Sequence, residues 1–538
     1  MSWLSGHFLK TGKHRNKSRQ VTFVGKLREL FSDTLVYGIS SVLARFINYL
    51  LVPFYTKYFD PAAYGIIGLI FGAIVFLNVL FTFGMESSYL RYGADREKAR
   101  NVFKTIQLSL FGGASLLVLV TWIFMPLLAP LLGLEGSAAQ AAAASDPGIQ
   151  AAAGTGTAGL ITMSGEHLFY LMLAILWLDA LCMVPFAELR LIRKSYTYAF
   201  IRLFNVIINV CLNVYLVVFA GWGIEAVLVS NAVASFVTMI ILAWFTRHMY
   251  QGKWDTAVIK RALWFGLPYI PAGISHAVNE VLSRFAVNNM PQSTIDRLYG
   301  SHYNADDITG IFNACIKISV FMLLAVQMFR MAWLPFFMRQ SGSDDARKTF
   351  AEVFTWFNIA AAVVYIGVGL FVEQIVQIRI PVLDGTLIDE RYWMGLYIVP
   401  WLLLAYWFQG WFLNFMAGVF IREKMWHLSG ITIIGALITL AGNMMLVPVF
   451  GMQGAVWVAV FCFLSMAMLM YVLTQSVYKV PYKIGKSVAI VLFSGSVVAL
   501  GHGFATDFFE PLFAKMVLFI LSLLLLVTIG MAERRQEV

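Results

Sequence analysis

The residues in this chain that could do chemistry are few, and they sit in apolar surroundings. Arg45 lies in the middle of the run 41–55, too deep to reach either membrane surface comfortably. An ionisable side chain in such a setting is costly and faces a cavity or a partner. Arg45 therefore reads as a cationic ligand for an anionic headgroup, with a structural pair to a carboxylate on a neighbouring helix as the alternative. Lys317, with Asn313 one turn before it, forms a polar stripe that reads as cavity lining. Arg202 sits one turn into its span, where it either snorkels to the surface or supplies a third cavity cation. Asp179 is deep, and is either a proton or cation site or the partner of Arg45 or Arg202. Glu280 and Arg284 are spaced i,i+4 as a local ion pair, with gating or ion coupling as the other reading. Glu86, followed by Ser87, Ser88 and Arg91, reads as the polar end of a helix at the membrane surface. No catalytic residue, cofactor or metal site is expected. The chain has no CxxC, HExxH, GxSxG or Walker-type glycine loop, and Cys182, Cys211, Cys315 and Cys462 all fall in apolar runs as small buried residues.

The elements that must hold these residues follow from composition. The 538 residues are 60% hydrophobic and 13% charged, with a mean hydropathy of +0.76. A soluble domain is about 45–50% apolar and about 25% charged. A soluble enzyme, a disordered chain and a free nucleic-acid binder are excluded, and long unbroken apolar runs point to helices rather than a barrel. Fourteen spans are expected, near 33–54, 64–84, 105–130, 167–187, 198–220, 224–246, 261–283, 308–336, 350–378, 393–420, 427–449, 453–475, 486–504 and 511–531. The net charge of +10 first suggests an anionic partner. Of the 39 Lys and Arg, however, 29 fall in loops on one side of these spans, 6 on the other and 4 within them. That bias puts both termini in the cytoplasm and makes the basic surplus a topology signal, with no nucleic-acid partner.

The chain divides into a basic cytoplasmic tail (1–32), a six-helix bundle (33–250), a second six-helix bundle (251–480), and two further helices with a tail (481–538). An Ala/Gly-rich outer loop at 134–165 reads as a flexible linker, and 287–307 as a polar, irregular outer loop. The halves carry traces of a repeat. Asn213 to Gly221 and Asn443 to Gly451 share one spacing at an offset of 230, and Leu35 to Gly38 matches Leu263 to Gly266 at 228. Two even-numbered halves would be related by an axis along the membrane normal. Gly266, Pro268, Pro271 and Gly273 interrupt the seventh span and read as a hinge, with a static kink as the alternative.

The stretch from Leu35 to Gly68, with Gly38, Arg45, Pro53, Thr56-Lys57-Tyr58 and Pro61 through Tyr64-Gly65, resembles the opening of Wzx-type oligosaccharide flippases, in the polysaccharide-exporter branch of the MOP superfamily. Gly84 through Glu86 to Arg91-Tyr92, and Asn443 through Gly451 to Gly454-Ala455, are similar to further segments of that family. The loop at 134–165 is longer than the family pattern. The resemblance implies an all-α polytopic membrane protein, two six-helix bundles in pseudo-twofold arrangement plus two C-terminal helices. It also implies a flippase, not an enzyme, in the bacterial inner membrane, serving polysaccharide or lipopolysaccharide (O-antigen) biosynthesis. The implied substrate is an undecaprenyl-pyrophosphate-linked oligosaccharide, and the implied partners are the polymerase and glycosyltransferases of its pathway. Arg45, and with it Arg202 and Lys317, would neutralise the pyrophosphate in a central cavity, and ion coupling would run through Asp179 or Glu280. A lipid II flippase and a cation-coupled multidrug exporter are the alternatives within the superfamily. A membrane glycan polymerase is the alternative outside it.

Overall fold

In the computed structural model, residues 43, 47, 51–93, 95–131, 165–267, 269–340, 346–380, 385–422, 425–503 and 511–535 are described. Helices start where the sequence supplies caps. After the short helix α1 (Val52–Tyr58), Asp60 accepts from the Ala63 N–H at 2.8 Å, and Pro61 opens α2 (Pro61–Thr82). Phe83 and Gly84 then take the left-handed conformation and turn the chain into α3 (Met85–Tyr92). There follow α4 (Ala99–Ile123), α5 (Met125–Leu131), α6 (Gly165–Leu191), α7 (Ser195–Val214), extended by a π-turn over Tyr215–Phe219, and α8 (Glu225–Thr246).

The seventh expected span is two helices, α9 (Thr256–Gly266) and α10 (Tyr269–Asn288). The outer loop after it is not wholly irregular, since it holds α11 (Gln292–Leu298). The eighth span starts at a capping box of Asn304 and Asp307 and is also broken. Its helices α12 (Ala305–Ile318) and α13 (Val320–Gln340) meet at a bend of 46°. Next come α14 (Ala346–Val376), a small antiparallel hairpin of β1 (Arg379–Ile380) and β2 (Gly385–Thr386), a 3-10 segment (Glu390–Ile398), and α15 (Val399–Ile421). Last are α16 (Met425–Val477), α17 (Ile484–Gly503) and α18 (Pro511–Arg535).

The protein is thus an all-α polytopic membrane protein, and among the described residues helix occupies most of each range expected for spans two to fourteen. Among the described residues nine helices are long and apolar enough to cross a membrane, or ten if the bent pair counts as one. α16 contains two expected spans, broken at Gly451, where φ is +58°.

Buried apolar side chains gather in separate cores. The largest runs from Val287 to Leu526 and takes in Val52 and Tyr64; three smaller ones lie between Leu51 and Ala262. α17 and α18 pack on α14, with His502 Nε2 2.9 Å from the Gly369 carbonyl and Lys515 Nζ 3.0 Å from Glu373.

The repeat has a local structural counterpart. Asn213 donates to the Asn209 carbonyl at 2.9 Å, and Asn443 to that of Thr439 at 2.7 Å. Gly221 and Gly451 both have positive φ, +67° and +58°. A further matched pair was not seen in sequence. Ala99-Arg100 and Ala346-Arg347 open α4 and α14, and Phe103 and Phe350, four residues in, each meet a tyrosine ring, Tyr250 at 5.2 Å and Tyr478 at 6.3 Å.

Candidate functional site

The seam between the cores is formed by α2, α10 and α12, and glycine lets their backbones close on one another. A Cβ on Gly310 would overlap the Pro61 carbonyl, and one on Gly68 would overlap the Asn313 amide. Tyr64 meets Tyr392 edge to face at 5.8 Å. Burial changes along α2. Eleven of residues 61–74 are buried, but only Phe81 among 75–82. Val75, Phe321 and Met328, on the α2 and α13 stretches nearer the basic loops, are 43%, 42% and 54% exposed. Burial along α2 is therefore denser at the end away from the basic loops, while α2 and α10 still meet nearer those loops, where Gly273 abuts Val79.

Polar groups lie along it. Asn313 is buried, and its Nδ2 has no hydrogen-bond partner among the described residues. The same holds for Arg284 Nε on α10 and Asn78 Oδ1 on α2. Buried polar atoms of this kind call for water or a ligand. Lys317 is half-buried, in the last turn of α12 before the 46° bend, where helix dipoles favour a cation. At the end away from the basic loops, burial pushes the Asp60 carboxyl above the usual carboxylate value, against the opposing pull of the Ala63 N–H and Arg391.

The expected site residues fall into distinct places. Arg45 and Pro268 lie outside the described residues, as does the Glu280 side chain, so the expected Glu280–Arg284 pair is not seen. Arg202 is exposed and lies over Phe186 at 5.1 Å and Tyr198 at 5.9 Å. Its helix packs on α8 and α6, away from the α2–α12 seam that holds Lys317. Asp179 accepts from Ser235 Oγ at 2.7 Å and feels the charge of Arg202, which joins α6, α7 and α8. The interruption of the seventh span falls where its glycines and prolines lie. α9 ends at Gly266 against the Phe83 carbonyl and Gly84, Pro271 accepts from Ser275 Oγ at 2.8 Å, and Gly273 abuts Val79. α9 itself packs on α3 and α4, with Ser88 Oγ donating to the Ala262 carbonyl at 2.7 Å and Arg91 over Phe265 at 4.5 Å.

Two clusters escaped the sequence reading. Glu188 has a fully buried side chain that accepts from Tyr89 OH at 2.6 Å and from both terminal nitrogens of Arg96, at 2.6 and 3.1 Å. Glu86 and Arg190 pair beside it. At the far end Arg391 and Tyr392 reach the backbone at 56–59. Glu188 stands out as an acid near the end of an apolar run, but its partners come from 92 and 99 residues away.

A family model described as "Polysaccharide biosynthesis protein" matches residues 166–377. No curated protein matches the chain. Among solved structures, "Lipid II flippase MurJ, inward closed conformation" is 12% identical, covers 93% of this chain and 99% of its own, and superposes with a TM-score of 0.67. A multidrug resistance MATE family transporter of the MOP superfamily, inward-facing, is 12% identical over 86% of this chain and 99% of its own, with a TM-score of 0.59. An outward-facing structure described in the same terms is 14% identical over 86% of this chain and 97% of its own, with a score of 0.50. The chain shares its fold with these transporter structures, and its 166–377 segment is similar to a family described as polysaccharide biosynthesis.

Proposed function

We propose that the protein is a flippase that carries undecaprenyl-pyrophosphate-linked oligosaccharide from the cytoplasmic to the outer leaflet of the bacterial inner membrane, by alternating access, for polysaccharide or O-antigen assembly. The observation that carries this reading is the seam. Its glycines close α2 on α12 at the end away from the basic loops, and it bears Lys317, Asn313 and Arg284. The positive-inside bias supports a cytoplasmic basic end, with both termini on that side. A pyrophosphate and a glycan cannot cross a hydrocarbon layer about 30 Å thick unaided. Cations in the seam would stabilise the headgroup through charge-assisted hydrogen bonds while the polyprenyl chain stays in lipid.

In this reading Lys317 and Arg45 serve the phosphates, Arg284 joins them as a seam cation, and Arg202, on its aromatic faces, has the weakest claim. Asp179, hydrogen-bonded by Ser235, serves the packing of the first bundle rather than ion coupling. Residues 33–250 and 251–480 form the two rocking bundles, and the break at Gly266–Tyr269 supplies the bend. The pathway's glycosyltransferases make the substrate and its polymerase consumes the product.

A lipid II flippase has the same headgroup chemistry, and the structural likeness at a TM-score of 0.67 favours keeping it as the second reading. An exporter of organic cations is disfavoured by the cationic seam. The test is depletion of the protein in its own cells. Lipid-linked oligosaccharide should accumulate in the cytoplasmic leaflet while lipid II continues to cross. Arrest of lipid II with normal oligosaccharide export would select the second reading.

A further inference from the structure

The outer closure contains a cross-link that the glycine seam does not require. The 3-10 segment Glu390–Ile398 precedes α15 and is rooted in the C-terminal core: Tyr392 and Ile398 are fully buried, and Ile311 and Cys315 of α12 press against Gly395. From there it reaches across to α1, the end of the first span. A helix end leaves its last carbonyls without intrahelical partners. Here Arg391 Nη2 donates to the carbonyls of Thr56 and Lys57 at 3.3 and 3.2 Å, and Tyr392 OH donates to that of Phe59 at 2.9 Å. Asp389 holds the arginine in place, accepting from its Nε at 2.8 Å and its backbone N–H at 3.1 Å. The partners are more than 330 residues apart in sequence. Each donor satisfies an acceptor that would otherwise need water.

We propose that Glu390–Ile398 is a conformational latch. Arg391 and Tyr392 clamp the outer end of the first span onto the C-terminal core in the outward-closed state, and the clamp must release whenever the outer end opens. The latch rests on the alternating-access reading but not on the identity of the cargo. Because the bonds run to main-chain carbonyls, they use no side-chain atom of residues 56, 57 or 59, and the strength of the latch resides in residues 389, 391 and 392.

Two single-cysteine reporters, in a background with the four native cysteines replaced, test this in native membranes. Thr56→Cys lies at the clamp, where the native side chain is fully buried, and Val75→Cys lies on α2 nearer the basic loops, where the native side chain is 43% exposed. A membrane-impermeant maleimide is applied from the outer face for the first and the cytoplasmic face for the second. Arg391→Ala and Tyr392→Phe should each speed labelling at Thr56→Cys, the former by about tenfold, as expected for lost charge-assisted hydrogen bonds. Both should slow labelling at Val75→Cys, since opening one end closes the other. Tyr392→Phe removes one hydroxyl and keeps the ring. Unchanged labelling of Thr56→Cys in both variants, or a rise at both reporters together, would overturn the latch. Labelling involves no glycolipid, so a wrong cargo assignment leaves this result untouched.

Discussion

At the scale of the residue, the buried polar groups separate into those that hold the fold and those that the proposed function assigns to a ligand. Glu188 belongs to the first set. Its carboxylate is buried, and three hydrogen bonds from Tyr89 and Arg96 bind α3, the following turn and α6 together. Glu188→Ala leaves a buried phenol without its acceptor, and should lower stability by about 1–3 kcal/mol. Arg96 is half exposed and can rehydrate, which keeps the loss below that of a fully buried broken pair. Thermal unfolding in detergent measures it, and Glu188→Gln should lose less. Lys317 belongs to the second set. Lys317→Ala should reduce oligosaccharide export about tenfold or more with normal insertion, and Lys317→Arg should keep part of it. Export assayed at matched membrane levels decides this. Asn313 and Lys317 were legible in sequence because polar residues are conspicuous in apolar runs. The partners of Glu188 and Arg391 were not, because a pair separated by about 90 or 330 residues leaves no local periodicity.

At the scale of the element, the informative features are the breaks. The bend at Ser319 and the gap between α9 and α10 interrupt two helices that line the seam. Pro268, Pro271 and the flanking glycines announced the gap, whereas nothing comparable marks Ser319, so that the eighth span read as one continuous helix. The repeated turns at Gly221 and Gly451 give a sharper test of local cost. Both have positive φ, which costs a non-glycine residue about 1–2 kcal/mol. At Gly221 an added Cβ meets open space, but at Gly451 it meets the Tyr299 hydroxyl, which also accepts from the Met452 N–H at 2.8 Å. Gly221→Ala should therefore lose only the backbone term, and Gly451→Ala clearly more. Paired melting curves of the two variants check the order.

At the scale of the whole molecule, apolar runs made the helical spans readable, because burial in lipid constrains sequence more tightly than burial in a soluble core, and the alternation of Lys and Arg gives the sidedness on which the proposed function rests. What they could not convey is where the seam's helices close on one another. That depends on glycines at 65, 68 and 310 meeting backbone or amide groups on facing helices, a match between surfaces rather than a pattern within one. In the proposed function the seam cations meet an anionic lipid headgroup that enters from the cytoplasm. The direct measurement is the leaflet distribution of undecaprenyl-pyrophosphate-linked oligosaccharide, read by accessibility to an impermeant glycan-modifying probe, in cells depleted of the protein and complemented by wild type or Lys317→Ala. Wild type should return the glycolipid to the outer leaflet, and depletion or Lys317→Ala should leave it cytoplasmic. Outer-leaflet glycolipid at wild-type levels after depletion, with no other flippase induced, would contradict the assignment.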